Sequence, residues 1–142
     1  MSDAQEILLA FDFGLKRIGI ASGNFLTRTA SPVTTLNARS TILWKDIDRL
    51  LDEWRPKLLV VGLPSGEGER AITKQVNAFV AALQARYGVA VETVDEALTS
   101  HAAQSELKEV RRSGYLRRRV GKGRIDTHAA CLIAEQWMSE TA

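Results

Sequence analysis

The sequence predicts an α/β fold: a mixed five-stranded sheet with helices on both faces, in the order β-β-β-α-β-α-β-α-α. Three observations carry that prediction. The first third of the chain, Ile7 to Leu36, holds strand-like runs separated only by short turn signals. The middle then alternates helical spacing with short apolar runs. A last helical pattern closes the chain. Hairpin-linked strands followed by helix-linked ones imply a sheet that is antiparallel at one end and parallel at the other.

The elements follow in order. Ile7 to Phe13 is almost wholly apolar, as in a strand buried on both faces, and Gly14 breaks it. Arg17 to Ser22 resumes the strand pattern. Thr27 to Leu36 is rich in β-branched residues and is expected to pair back through a turn at Ser22 to Asn24. Leu43, Ile47, Leu50, Leu51 and Trp54 recur at helical spacing until Pro56. Leu58 to Leu63 is a short buried strand. Ile72, Val76, Phe79, Val80, Leu83 and Tyr87 mark a second amphipathic helix, ended by Gly88. Val89 to Val94 is the fifth strand, and Thr99 or Ser100 can cap a third helix through Val110. Arg111 to Arg124 contains three glycines and little periodicity, so it reads as a mobile loop. The last helix is expected from about Asp126 to Met138.

Bulk properties set limits. The 142 residues fit one domain spanning 1–142, with ordinary hydrophobic (45%) and charged (25%) fractions. Net charge is only +2, but eight of the 19 Lys and Arg residues lie between Lys108 and Arg124 beside a single acid, Glu109. The basic stretch is therefore a local device on an otherwise acidic chain. The lone Cys131 excludes an intrachain disulfide and a cysteine-rich metal cage. Met1 to Glu6 lacks a basic n-region and no apolar run reaches membrane-spanning length, so the chain reads as a cytoplasmic protein without a membrane partner.

Three acids interrupt this pattern. Asp12 shares a face of its apolar strand with Leu8 and Ala10, where a carboxylate is costly unless a cation or hydrogen-bond donors meet it. A strand-ending turn with Gly14 explains it equally well when it is taken alone. Asp95 and Glu96 lie at the carboxyl end of the fifth strand, where open α/β sheets gather their ligand sites. Such a pair also suits the positive end of a following helix. Asp126 shares a helix face with Ala129, Ala130, Ile133 and Trp137, and the small alanines would let that helix end approach the sheet closely.

Carboxylates from three separate elements would thus converge. Without cysteine they suit hard, oxygen-seeking cations, Mg²⁺ or Mn²⁺. Two such ions, roughly 3.5–4 Å apart, activate an attacking water and stabilise a leaving oxygen. The basic stretch, with Arg111, Arg112, Arg117, Arg118, Arg119, Lys122 and Arg124, supplies attraction for a phosphate backbone. Its Tyr115 could stack on a base or simply anchor packing. His128, two residues beyond Asp126, lies off its helical face and reads as structural, and His101 has no nameable partner.

Four stretches also resemble a known family. Phe11-Asp12-Phe13-Gly14-Leu15-Lys16-Arg17-Ile18-Gly19-Ile20-Ala21 is similar to its opening signature, and Val60-Val61-Gly62-Leu63-Pro64 to its second motif. Asp95-Glu96-Ala97-Leu98-Thr99-Ser100 resembles the third and Ile125-Asp126-Thr127-His128-Ala129-Ala130 the fourth. Together, in order and over nearly the whole chain, they resemble the YqgF/RuvX family of bacterial Holliday junction resolvases, also described as pre-16S rRNA nucleases. The resemblance implies an RNase H-like fold and a divalent-metal-dependent endonuclease. It implies Asp12, Glu96 and Asp126 as metal-binding, catalytic acids. Lys16 and Arg17 would then lie near substrate phosphates, and the loop from Gly62 to Gly68 would border the site. One departure stands out: the family's usual Arg after the Glu is Ala97 here.

The expected function is 5′-end processing of pre-16S rRNA, with Holliday junction resolution as the alternative. A nucleic-acid-binding assembly factor with little catalysis is a third reading. Partners would be structured RNA or branched DNA, and the chain a monomer or weak homodimer. Asp-x-Gly before a hairpin also opens the actin and sugar-kinase superfamily, but 142 residues supply only one of its two lobes.

Overall fold

The computed structural model describes residues 6–63, 70–95 and 122–140. Their elements run β1 (Ile7–Phe13), β2 (Arg17–Asn24), β3 (Thr29–Asn37), α1 (Leu43–Trp54), β4 (Leu58–Leu63), α2 (Arg70–Arg86), β5 (Ala90–Asp95) and α3 (Lys122–Glu140). The helix expected over 99–110 lies outside the described residues. The five strands form one sheet in the order β3-β2-β1-β4-β5. β1 pairs antiparallel with β2 and β2 with β3, whereas β4 runs parallel to both β1 and β5. The expected mixed sheet is therefore present, with its hairpin half and its helix-linked half meeting at β1.

The two faces of the sheet are packed by opposite means. On one, Leu9, Phe11, Ile18, Ile20, Leu59 and Val61 meet Leu43 and Ile47 of α1 and Val76, Phe79 and Leu83 of α2. Phe79 is its hub, with the rings of Phe11, Phe13 and Trp44 at 5.6, 5.0 and 5.6 Å. Large rings fill a deep gap between layers, each buried side chain stabilising by roughly 1.5–3 kcal/mol. On the other face, among the described residues, α3 packs through Ala130, Ile133, Ala134 and Met138 onto Leu8, Ala10, Ala21, Leu58 and Val60. Where Ala130 and Ala134 meet Ala21 and Gly23, small residues let helix and sheet approach closely. At Gly23, an added Cβ would stand 2.9 Å from Leu8 Cγ and 3.4 Å from the Ala134 Cβ.

Helix α1 stops where Arg55 turns left-handed (φ 46°) and donates its backbone N–H to the Leu51 carbonyl at 2.8 Å, with Pro56 beyond it. β3 is an edge strand with a register shift opposite Ile20 and Ala21, next to Pro32, a residue tolerated at edges and bulges.

Three boundaries differ from the sequence reading. The β2–β3 turn is not at Ser22 to Asn24: β2 continues through Asn24, because Ser22 and Gly23 pair with Leu9 and Leu8. Asn24 instead opens the turn, its Oδ1 accepting from the N–H groups of Leu26 (2.8 Å) and Thr27 (3.2 Å). β3 accordingly begins at Thr29, after Arg28 in a left-handed conformation (φ 58°). That conformation costs a non-glycine residue about 1–2 kcal/mol. The last helix begins at Lys122, four residues before Asp126, so Lys122 and Arg124 belong to its first turn and not to a loop. Its first three residues, Lys122, Gly123 and Arg124, carry no apolar residue to reveal a helical period, and Gly123 argues locally for a break.

Among the described residues no helix is long and apolar enough to cross a membrane.

Candidate functional site

Asp12 is the next-to-last residue of β1 and half-buried. Its ladder partner in β2 is Gly19, which is buried and has no side chain to crowd the carboxylate. The parallel register with β4 ends one residue earlier, at Phe11–Val61, so the Asp12 backbone lies just past that ladder. Strand alternation puts Asp12 on the face of Leu8 and Ala10, the face covered by α3. Asp12 already has a partner in the protein. The carboxyl ends of β1, β4 and β5 fall together, with Leu63 paired to Asp95. Glu96 follows Asp95 directly and lies outside the described residues, as do the Pro64 to Gly68 part of the bordering loop and Arg111, Arg112, Arg117, Arg118 and Arg119.

The position of Asp126 follows from the packing of α3. Ala134 sits over Gly23, the partner of Leu8, and Ala130 clusters with Ala21, the partner of Ala10. Two residues along β1 advance about 6.6 Å. Four residues along α3 advance about 6.0 Å. One more such step carries β1 to Asp12 and α3 to residue 126. The backbone thus brings the helix turn bearing Asp126 level with Asp12 and Gly19. Next to it Thr127 and His128 are half-buried, and each has a partner.

Lys16 and Arg17 lie at the β1–β2 turn, close in sequence to Asp12, with Lys16 exposed and Arg17 half-buried. The turn is tightly built. A Cβ on Gly14 would meet the Arg17 carbonyl oxygen at 2.7 Å, and the Ala38 N–H donates to the Lys16 carbonyl at 2.9 Å. Among the described residues alone no three His, Cys, Asp or Glu side chains form a metal-binding group. Of the three expected acids, only the Asp12 side chain is among them.

A second feature lies at the opposite end of the sheet. There Lys45, Asp52, Arg55 and Tyr87 help to line an open cleft of about 850 Å³. Within it Asp48 is engaged from two sides. The Tyr87 hydroxyl donates to Asp48, and Arg86 pairs with Asp48 at 3.5 Å while lying over the Trp44 ring. Burial, reinforced by the Asp48 bond, pushes the Tyr87 hydroxyl up to about 12.

The family model RuvX, described as Holliday junction resolvase, matches residues 6–140. This chain belongs to that family. Its RuvX-family relatives include a protein of Photobacterium profundum named "Putative pre-16S rRNA nuclease", 43% identical over 142 residues and 96% of each chain. A protein of the same name from Aeromonas hydrophila is 46% identical over 136 residues and 94% of each chain. Among solved structures, Thermus RuvC, titled "T. thermophilus RuvC in complex with Holliday junction substrate", aligns with TM-score 0.62 at 17% identity, covering 97% of this chain and 98% of that one. The fowlpox virus Holliday junction resolvase gives 0.59 at 13% identity, covering 94% and 99%. At such identities the likeness is one of fold. This RuvX chain thus has the sheet and helix arrangement of RNase H-like resolvases.

Sequence reasoning missed Gly19 as the open position facing Asp12, and Arg28, whose guanidinium donates to the Met138 carbonyl near the end of α3. The first was legible in principle, since Gly19 falls opposite Asp12 once the hairpin is folded about Gly14. The second was not, because nothing near Arg28 in sequence points to a partner 110 residues away.

Proposed function

We propose that this RuvX chain is a divalent-metal-dependent endonuclease that hydrolyses nucleic-acid phosphodiesters in 5′-end processing of pre-16S rRNA. The observation that carries the reading is the placement of Asp12 at the carboxyl edge of the sheet, level with the turn of α3 that bears Asp126. Relatives more than 40% identical that carry the pre-16S rRNA nuclease name support the choice of substrate. The match over 6–140 supports treating the chain as one working unit.

Asp12, Glu96 and Asp126 would hold one or two Mg²⁺ or Mn²⁺ ions. The donor set fits: all are carboxylates, and Asp12 stands on an otherwise apolar face between small neighbours, Ala10 and Gly19. Bound there, such ions polarise water for attack and stabilise the leaving oxygen. The chain's own part is to fix the carboxylates on two stiff elements, strand and helix, so that little reorganisation accompanies reaction. Lys16, Arg17 and the basic residues from Arg111 to Arg124 would hold the substrate backbone.

Holliday junction cleavage is the second reading, favoured by the family's own description. One experiment separates the two. A labelled four-way DNA junction and a 5′-extended 16S rRNA precursor are incubated with Mg²⁺, Mn²⁺ or chelator, beside the Asp12→Asn variant. Metal-dependent cutting of the RNA alone, lost in the variant while binding persists, is the expected result. Cutting of the junction alone selects the second reading. Binding of RNA without metal-dependent cutting of either substrate would leave an assembly factor in place of a nuclease.

A further inference from the structure

Two loops meet beside the carboxyl end of β1. One is the β1–β2 turn; the other, residues 38–42, joins β3 to α1. Asn37 pairs with Arg17, and the Ala38 N–H donates to the Lys16 carbonyl at 2.9 Å, so the two loops are fastened side by side. The second is also braced from within. Arg39 donates its N–H to Asn37 Oδ1 at 2.9 Å, and Ile42 its N–H to Ser40 Oγ at 3.1 Å. Surface side chains of both loops are thus presented on a hydrogen-bonded backbone.

Those side chains are of two kinds. Among the described residues three large apolar side chains are exposed, and two of them stand here, Leu15 (48%) and Ile42 (49%). Lys16 and Arg39 are exposed too, and neither has an acid partner among the described residues. Segments 13–17 and 37–43 contain no acid, and the next one along the chain, Asp46, faces Arg49 at 3.6 Å. A single exposed leucine is ordinary on a surface. Two apolar side chains interleaved with two unpaired cations on adjoining loops suit a ligand that carries both negative charge and apolar faces.

Their position narrows that ligand. Leu15 and Lys16 follow Asp12 by three and four residues, so a nucleic-acid strand at the candidate metal site would pass directly onto this surface. Its phosphates would meet the cations. A duplex keeps its base faces stacked on one another and shows mainly phosphate and sugar, whereas an unpaired strand exposes base faces and phosphates together.

We propose that Leu15, Lys16, Arg39 and Ile42 form a shelf that holds an unpaired strand of the substrate next to the metal site. This rests on the nuclease reading and sharpens it: the favoured substrate has a single-stranded flank adjoining the scissile phosphate.

Binding without cleavage tests the shelf. The probes are a labelled RNA duplex with a single-stranded extension and the same duplex with blunt ends, titrated in chelator by fluorescence anisotropy. The variants are Leu15→Ser, Arg39→Ala and Ile42→Ser. All three side chains are exposed, and serine is a favoured residue at the N-cap position that Ile42 holds, so melting temperatures should stay near the parent's. Each apolar side chain has about half its surface left to bury, so its loss should weaken binding of the extended RNA about 4- to 12-fold, with the salt slope unchanged. Arg39→Ala should instead reduce the slope of log affinity against log salt by about 0.7, the value for one phosphate contact on a single strand. Affinity for the blunt duplex should be unchanged in all three. A second measurement needs no substitution: with Mg²⁺ present, 4-thiouridine in the extension should crosslink to residues 14–17 or 38–42 of the parent. Equal losses on both RNAs, parent-like binding of the extended RNA by all three variants, or crosslinks confined to other segments overturn the proposal. Metal-dependent cleavage by the parent then shows that the nuclease reading survives it. A parent that binds neither RNA and cleaves nothing overturns both.

Discussion

Replacing Gly23 by alanine probes the closest approach between sheet and helix. The new methyl carbon would stand 2.9 and 3.1 Å from Leu8 Cγ and Cδ1, and 3.4 Å from the Ala134 Cβ. Carbon atoms rest at about 3.5–4.0 Å, so the overlap with Leu8 is roughly 0.6 Å or more. Leu8 is fully buried and cannot swing into solvent, and Ala134 has no side chain to fold away. Either the leucine leaves its rotamer or α3 lifts, and overpacking of this kind costs about 1–3 kcal/mol. Alanine also reduces the freedom of the unfolded chain, which stabilises by about 0.4–1 kcal/mol. Mid-range values of the two effects leave a net loss of about 1.3 kcal/mol. With an unfolding entropy near 2.1 cal/mol/K per residue, 142 residues convert this to a melting point lower by about 4 °C. Differential scanning calorimetry of both proteins in one buffer reads it directly. A melting point equal to or above that of the parent would show that α3 does not press on the sheet at Gly23, and would remove the register argument for Asp126.

Two further perturbations address the remaining features. The Tyr87 hydroxyl, raised from 10.0 to about 12, favours the folded state while protonated, so its contribution is complete below pH 10 and disappears as pH rises toward 12. Absorbance titration of the phenolates should therefore show a late step near pH 12 that Tyr87→Phe removes; a single step near 10 in the parent would refute the Tyr87–Asp48 contact. Converting Arg117 and Arg118 to alanine should reduce the slope of log affinity against log salt by about 0.9 for each lost phosphate contact on duplex DNA, and an unchanged slope would take these arginines off the binding surface.

Most of the sheet was readable because burial on both faces leaves a simple signature. Leu58–Leu63 is an unbroken run without a charge and Ile7–Phe13 is apolar but for Asp12, and both were located to the residue. The first helix was equally plain, with periodic apolar residues and Pro56 as its stop. Harder to read were places where a side chain's local role decides a boundary. Ser22-Gly23-Asn24 has turn composition, yet the chain turns only after Asn24, since strand pairing with Leu8 and Leu9 outweighs local preference. The start of α3 was hidden for a related reason: Lys122, Gly123 and Arg124 carry no apolar period. At the site, the anomaly of a carboxylate in an apolar strand pointed to Asp12, and the alanines at 129 and 130 pointed to a close helix. Which residues of the sheet receive that helix depends on pairing between strands, and the order of residues along one strand does not reveal it.

The sheet's two faces also impose opposite rules on change. Against α1 and α2, where rings around Phe79 fill the space, a substitution does harm mainly by being too small and leaving a void. Against α3, where Gly23, Ala21, Ala130 and Ala134 meet, harm comes from any added carbon. A library of random variants sorted only for survival of the fold should therefore refuse trimming in one half of the interior and refuse enlargement in the other. Because Asp12 lies on the half that refuses enlargement, the dimensions of the candidate site are guarded by the requirement to fold, before any selection for activity is applied.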